Sequence, residues 1–209
     1  MAVTLDELLV ADTPGAWEAC GFAVEGDGCV VGETRIRFAA GEREGGIEGW
    51  SLRGLESLDL DGLPTSEGEQ PSPPEAPTHP NGIADLDHVV AISSDLDRTV
   101  AALVAAGLDL RRVREAPTPA GAPRQAFFRL GSAILEVVQE PPEATAKAGG
   151  DRPAFFWGLA FVAPDLEGTV AFLGDRVGEI RDAVQPGRRI ATLRRPAGLS
   201  VPVALMTPP

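Results

Sequence analysis

The stretch His79–Ile92, HPNGIADLDHVVAI, followed directly by Ser93–Leu108, SSDLDRTVAALVAAGL, decides how the chain is read. His-Pro and Asn-Gly spell a turn. The run after it alternates Leu86, His88, Val90 and Ile92 on one side with Asp87, Val89 and Ala91 on the other, as a strand does. Ser94 or Asp95 can cap a helix whose apolar positions Leu96, Val100, Leu103 and Val104 keep helical spacing, and Gly107 ends it. Three strand-like runs follow, LDLRRVREA (108–116), RQAFFRLG (124–131) and AILEVVQE (133–140), so the unit reads βαβββ.

Working outward, the same order returns about 70 residues later. AFFWGLAFV (154–162) is a strand. APDLEGTVAFLGDRVG (163–178) matches SSDLDRTVAALVAAGL at Asp-Leu-Asp/Glu, Thr-Val-Ala and the next leucine. EIRDAVQ and RRIATLRR are joined by the turn pair Pro186-Gly187, and LSVPVALM closes the unit. Upstream, TLDELLV lies on DLDHVVA. Pro14 at a first helical position opens a short helix ended by Gly21, Asp27-Gly28 within FAVEGDGCVVG reads as a hairpin turn, and ETRIRFAAG and GGIEGWSLRGL read as strands. This is an eroded third copy. The expected organisation is therefore a degenerate unit over 1–60, a Pro-rich acidic linker over 61–83, full units over 84–139 and 154–209, and a linker over 140–153. The segment DGLPTSEGEQPSPPEAPTHPN carries six prolines and one large apolar residue, Leu63, and reads as semi-extended.

Bulk properties exclude several function classes. The net charge is −13 with a single lysine, Lys147, so no nucleic-acid partner is expected. Residues 1–75 hold 16 acids against 4 arginines, which makes the acidity an amino-terminal property and a solvated face. No apolar run approaches the roughly 18 residues of a membrane helix and no leader pattern is seen, so no membrane partner and a cytoplasmic location are expected. Cys20 and Cys29 lack redox or zinc spacing and read as reduced thiols. Seventeen arginines to one lysine fit a GC-rich bacterial genome.

Tandem βαβββ units whose first strand carries LDHVV and whose last carries ILEVV resemble the vicinal oxygen chelate superfamily, the group of glyoxalases, bleomycin-resistance proteins and extradiol dioxygenases. The resemblance implies an α+β fold in which curved mixed sheets of paired units enclose a cavity, with divalent-metal ligands on the first and last strands of each unit. Carried onto this sequence, those positions are His88 and Glu136, with Glu136 also the candidate catalytic proton carrier. The third unit offers Gly158, Pro202 and Ala204 there. The eroded copy places Glu7 opposite His88 and Glu48 opposite Glu136, and a set of all four would suit Fe, Ni, Mn or Zn. Read from the residues alone, His88 is either a hydrogen-bonded core histidine or a ligand or general base, and His79 in its turn is structural. Phe128, Phe156 and Arg189 are candidate substrate contacts: aromatic walls, and a guanidinium able to grip a small anion. The resemblance implies a protein acting on a small oxygen-rich or anionic molecule, either as a metal-dependent lyase, isomerase or dioxygenase, or as a metal-independent binder of bleomycin-resistance type or a scaffold. An odd number of units implies a homodimer.

Overall fold

The computed structural model describes residues 2–39, 45–68, 76–117 and 121–209. It contains two mixed sheets. The larger has eight strands and is assembled from two copies of one unit. The first copy comprises β6 (Asp85–Ser93), α2 (Leu96–Ala105), β7 (Asp109–Arg114), β8 (Gln125–Leu130) and β9 (Ala133–Gln139). The second comprises β10 (Phe155–Val162), α4 (Leu166–Leu173), β11 (Arg181–Asp182), β12 (Arg189–Thr192) and β13 (Val203–Met206). Their order across the sheet is β11-β12-β13-β10-β6-β9-β8-β7. The two first strands meet antiparallel at the centre, and each lies parallel to the last strand of its own copy.

The sequence repeat has a local physical meaning. In both helices the aspartate before the first leucine is the N-cap: Asp95 accepts from Arg98 N at 3.1 Å and Asp165 from Gly168 N at 2.9 Å. The threonine three residues after each leucine then donates back to the cap carbonyl, Thr99 to Asp95 O at 3.1 Å and Thr169 to Asp165 O at 3.0 Å. Each cap stabilises its helix by about 1 kcal/mol. Ser93 at the end of β6 meets Thr99 at 2.6 Å, so β6 alternation turns Val89, Ala91 and Ser93 toward the helices and His88, Val90 and Ile92 to the open face.

The smaller sheet has the order β2-β3-β1-β4-β5. Its strands are β1 (Thr4–Val10), β2 (Gly28–Val31), β3 (Thr34–Phe38), β4 (Ile47–Arg53) and β5 (Thr65–Glu67), with α1 (Pro14–Ala19) after β1. Two expectations change here. The tight turn of the hairpin is at Gly32-Glu33, between Val31 and Thr34, with Gly32 at φ 59°; upstream of Gly28 only an isolated bridge to Glu25 forms. The segment after Asp61 is not wholly extended either, because Leu63 is 3% exposed and anchors β5 beside β4, with Trp50 N donating to Pro64 O at 3.1 Å. A short helix, α3 (Pro142–Lys147), also forms between β9 and β10.

Strand pairing shows that the small sheet repeats the centre of the large one. The β3 strand runs parallel to β1, as β9 does to β6, and β4 runs antiparallel to β1, as β10 does to β6. The irregularities coincide as well. Asp6 is the extra residue between the pairs Leu5↔Leu52 and Glu7↔Ser51, as Asp87 is between Leu86↔Phe161 and His88↔Ala160. Glu48 is extra on β4 where Trp157 is extra on β10. Thus β4 and β5 form a fourth copy reduced to its first and last strands, and the partner of the eroded first unit lies within the same chain.

The two sheets pack through their apolar faces into one core. Trp17 of α1, wholly buried, meets Phe161 of β10 with ring centroids 6.1 Å apart, and Trp50 of β4 meets Phe156 at 4.9 Å. Burying a side chain of this size contributes on the order of 2–3 kcal/mol. His79 fixes the chain as it crosses from one sheet to the other. It is 2% exposed, its Nδ1 accepts from Ala23 N at 2.9 Å, and Nε2 therefore carries the proton that meets Val30 O at 3.1 Å. Burial holds its pKa below the usual histidine value. No described helix is long and apolar enough to cross a membrane.

Candidate functional site

A line of polar side chains crosses the open face of the eight-stranded sheet. The bulge at Asp87 is what assembles it. An extra residue breaks the alternation, so that Asp87 and His88, which would otherwise point to opposite faces, lie side by side with Asp87 Oδ2 2.7 Å from His88 Nδ1. Arg188, just before β12, closes on the same carboxylate, with Nη2 2.5 Å from Oδ1, and is itself held by Thr207 O at 2.9 Å from Nε. Burial pushes the Asp87 carboxyl up, but the hydrogen bonds and charges of His88 and Arg188 outweigh it and hold it below its ordinary value.

The other ring nitrogen of His88 faces Glu136. Nε2 lies 3.4 Å from Oε2, and the two side chains are each 12% exposed. Glu136 reaches this position because Val90 pairs with it across the parallel β6–β9 ladder. Its second oxygen accepts from the Gln125 amide, whose own carbonyl is 3.4 Å from Arg114 Nη1. Burial raises the Glu136 pKa, with His88 and Gln125 opposing. The row Arg114–Gln125–Glu136–His88–Asp87–Arg188 therefore sets a ring nitrogen of a histidine beside a carboxyl oxygen, each side chain anchored on its far side. Ile134, Val138 and Phe127 surround the pair as half-buried apolar neighbours, and Ala160 and Ala204 lie on the β10–β13 side.

The structure brings together His88 and Glu136 and separates the remaining candidates. Phe128 is wholly buried, paired with Leu135 on the helix side; its neighbour Phe127 is the aromatic beside Glu136. Phe156 stands on the helix side against Trp50, because the extra residue Trp157 shifts the alternation between it and Gly158; Trp157 is 52% exposed. Arg189 pairs with Glu167 of α4, and that contact raises its pKa. Its neighbour Arg188 reaches the site instead. A signal for Arg188 was present in the two adjacent arginines, but the parity that separates them depends on where β12 begins.

The four-residue metal set is not assembled. Glu7 and Glu48 belong to the five-stranded sheet, where Glu7 is paired with Arg37 at 2.8 Å. Pairing shows that Leu9↔Arg37 corresponds to Val90↔Glu136, so the counterpart of Glu136 is Arg37, and Glu48 corresponds to Trp157. At Gly158 the third unit lacks a donor for a steric reason. A Cβ at Gly158 would lie 2.7 Å from the Pro202 carbonyl, which accepts from Leu159 N at 2.9 Å, and Gly49 stands 3.0 Å from the Pro64 carbonyl in the same way. Among the described residues no group of three or more His, Cys, Asp or Glu is placed to hold a metal ion. Two facing donors, with Glu136 Oε1 and His88 Nδ1 already engaged, do not fit a divalent cation.

No protein-family model and no curated protein matches the sequence. Solved structures do match. A xylose isomerase-like TIM barrel/4-hydroxyphenylpyruvate dioxygenase fusion protein aligns with 98% of this chain and 48% of its own at TM-score 0.64 and 14% identity. Its aligned half spans both sheets. This chain has the vicinal oxygen chelate fold. Methylmalonyl-CoA epimerase from Mycobacterium tuberculosis shares that fold over 61% of this chain and 90% of its own, at TM-score 0.50 and 21% identity. A selenomethionine form of a methylmalonyl-CoA epimerase gives 0.50 at 17% identity over 61% and 97%. At these identities the likeness is one of vicinal oxygen chelate architecture, in which the open face of paired units holds the row around His88.

Proposed function

We propose that the open face of the eight-stranded sheet binds a small oxygen-rich or anionic molecule over His88, and that His88 and Glu136 exchange a proton with it without a metal. The observation that carries this reading is the 3.4 Å approach of His88 Nε2 to Glu136 Oε2, with Asp87 fixing the far nitrogen and Gln125 the far oxygen. A base at Nε2 and an acid at Oε2 set side by side can remove a proton from a carbon acid and return it elsewhere, the elementary step of an isomerase or lyase. The fold's epimerase members support this class by analogy only. Arg188 and Arg114 add positive charge at the two ends of the row, which favours an anionic ligand.

The test is solvent deuterium exchange into a panel of carbon acids (2-acyl thioesters, 1,3-dicarbonyls and 2-oxo acids) with the protein in EDTA. Exchange is expected with at least one member, falling about 100-fold or more in His88→Ala and Glu136→Gln. Exchange that requires added divalent metal, or that survives both substitutions, overturns the reading. Saturable binding without exchange supports the second reading, a ligand-sequestering protein. That alternative is favoured by Gly158 and Ala204, which leave the facing unit without a reacting group.

A further inference from the structure

The five-stranded sheet has an open face of its own, and the strand correspondence places an ionisable pair at its centre. Glu7 occupies the position of His88 and Arg37 that of Glu136, and the two meet at 2.8 Å as the other pair meets at 3.4 Å. Beside them is a hollow of about 260 Å3, whose lining includes Glu7, Arg37, Glu48, Ser51 and Thr65. This is just below the roughly 300–1,000 Å3 of sites for drug-sized ligands, so it suits a smaller molecule.

Two groups in that lining are unspent, and they carry opposite charge. Arg37 gives Nε and Nη2 to one oxygen of Glu7, at 2.9 and 2.8 Å, and its Nη1 has no partner among the described residues. Glu48 has a buried Oε1 that no donor reaches. A buried carboxylate oxygen left without a donor is destabilising. Glu48 is the extra residue of a bulge, at the place where the larger sheet has the exposed Trp157, so the fold does not require a carboxylate there.

We infer that this hollow is a second binding site, for a small zwitterion of the amino-acid class, with the ligand ammonium donating to Glu48 and its carboxylate accepting from Arg37 Nη1. The ion pair with Glu7 holds the guanidinium in place and neutralises part of its charge, so that neither a bare cation nor a bare anion is fully matched. The site lies on the sheet opposite the His88 row and does not depend on the reading of that row.

Calorimetric titration of the full chain with each of the twenty free L-amino acids, and with ethylamine and acetate as single-charge controls, tests the assignment. At least one amino acid is expected to bind saturably with one site per chain. Affinity should fall about tenfold or more in Glu48→Gln and in Arg37→Gln, since each removes a charge-assisted hydrogen bond to the ligand, and it should be unchanged in His88→Ala. Glu48→Gln keeps the shape and removes an unsatisfied charge, so its melting temperature should equal or exceed the parent's and loss of folding will not mimic loss of binding. No heat with any amino acid overturns the inference. Equal affinity for ethylamine, or binding lost in His88→Ala and retained in Glu48→Gln, does so too.

Discussion

Asp87→Asn tests how the row on the open face is held together. The carboxylate takes Arg188 Nη2 at 2.5 Å, Arg188 Nη1 at 3.3 Å and His88 Nδ1 at 2.7 Å. All three side chains are largely enclosed, Asp87 being 13%, His88 12% and Arg188 11% exposed. Removing one partner of a buried ion pair costs about 3–5 kcal/mol. Two features reduce that here: asparagine keeps one carbonyl oxygen, and Arg188 keeps Thr207 O at 2.6 and 2.9 Å. A loss of about 2–3 kcal/mol is therefore expected, which at about 2–4 °C per kcal/mol for a chain of this size lowers the melting temperature by about 4–12 °C.

The pH dependence gives an independent check. Because the folded pKa of Asp87 is depressed, its contribution is present above the unfolded carboxylate value of about 3.9 and is lost as pH falls through the folded value. Urea unfolding at pH 7 and again near pH 3 should show the gap between parent and variant at the first and its narrowing at the second. Nitrogen NMR of His88 should show Nδ1 protonated in the parent and a mixture of tautomers in the variant. A gap under about 0.5 kcal/mol at pH 7, the range of ordinary surface substitutions, or one that does not narrow in acid, would refute the argument.

Glu136→Gln should have the opposite sign. Burial raises its folded pKa, so the parent is penalised as pH rises through the unfolded value of about 4.3, and the variant should melt higher at pH 7 but not at pH 4 while losing exchange activity. For His79 the folded pKa is depressed, so its contribution is present above about 6.5 and lost as pH falls; parent stability should decline between pH 7 and 5. His79→Ala should cost about 2–3 kcal/mol by stranding Ala23 N and Val30 O, and the decline should then flatten in chemical denaturation. Gly158→Ala and Gly49→Ala should each destabilise by about 1–3 kcal/mol, the former more, because their Cβ atoms would stand 2.7 and 3.0 Å from carbonyl oxygens; unchanged melting in both would remove the steric account.

The sequence by itself determined the unit and its repetition. The capped helix after β6 and after β10 is written in Asp-Leu-x-x-Thr, because a cap and its return hydrogen bond are made within five residues. The LD(E/H) match between β1 and β6 was legible too, and both aspartates prove to be bulge residues. What failed was parity beyond a bulge. Strict alternation places Phe156 on the open face, and one extra residue at Trp157 reverses it; closeness to the Pro186-Gly187 turn makes Arg189 the rim arginine, whereas its neighbour Arg188 is the one that reaches Asp87.

Only the tertiary structure decided which strands are neighbours. Laying the eroded first copy on the middle unit sets Glu48 opposite Glu136, but β3 is the strand parallel to β1 and β4 begins a further copy, which moves Glu48 to the place of Trp157 and Arg37 to that of Glu136. Gly158, which the sequence presents as a missing ligand, is a position where a Cβ would stand 2.7 Å from the Pro202 carbonyl, so that any side chain must displace the β10 or β13 backbone. Local hydrogen bonds and spacing specify each element because their partners are close in sequence. The pairing of elements depends on surfaces brought together from distant residues, such as Trp17 on Phe161 and Arg188 on Asp87, and no local pattern encodes which of several similar strands will meet.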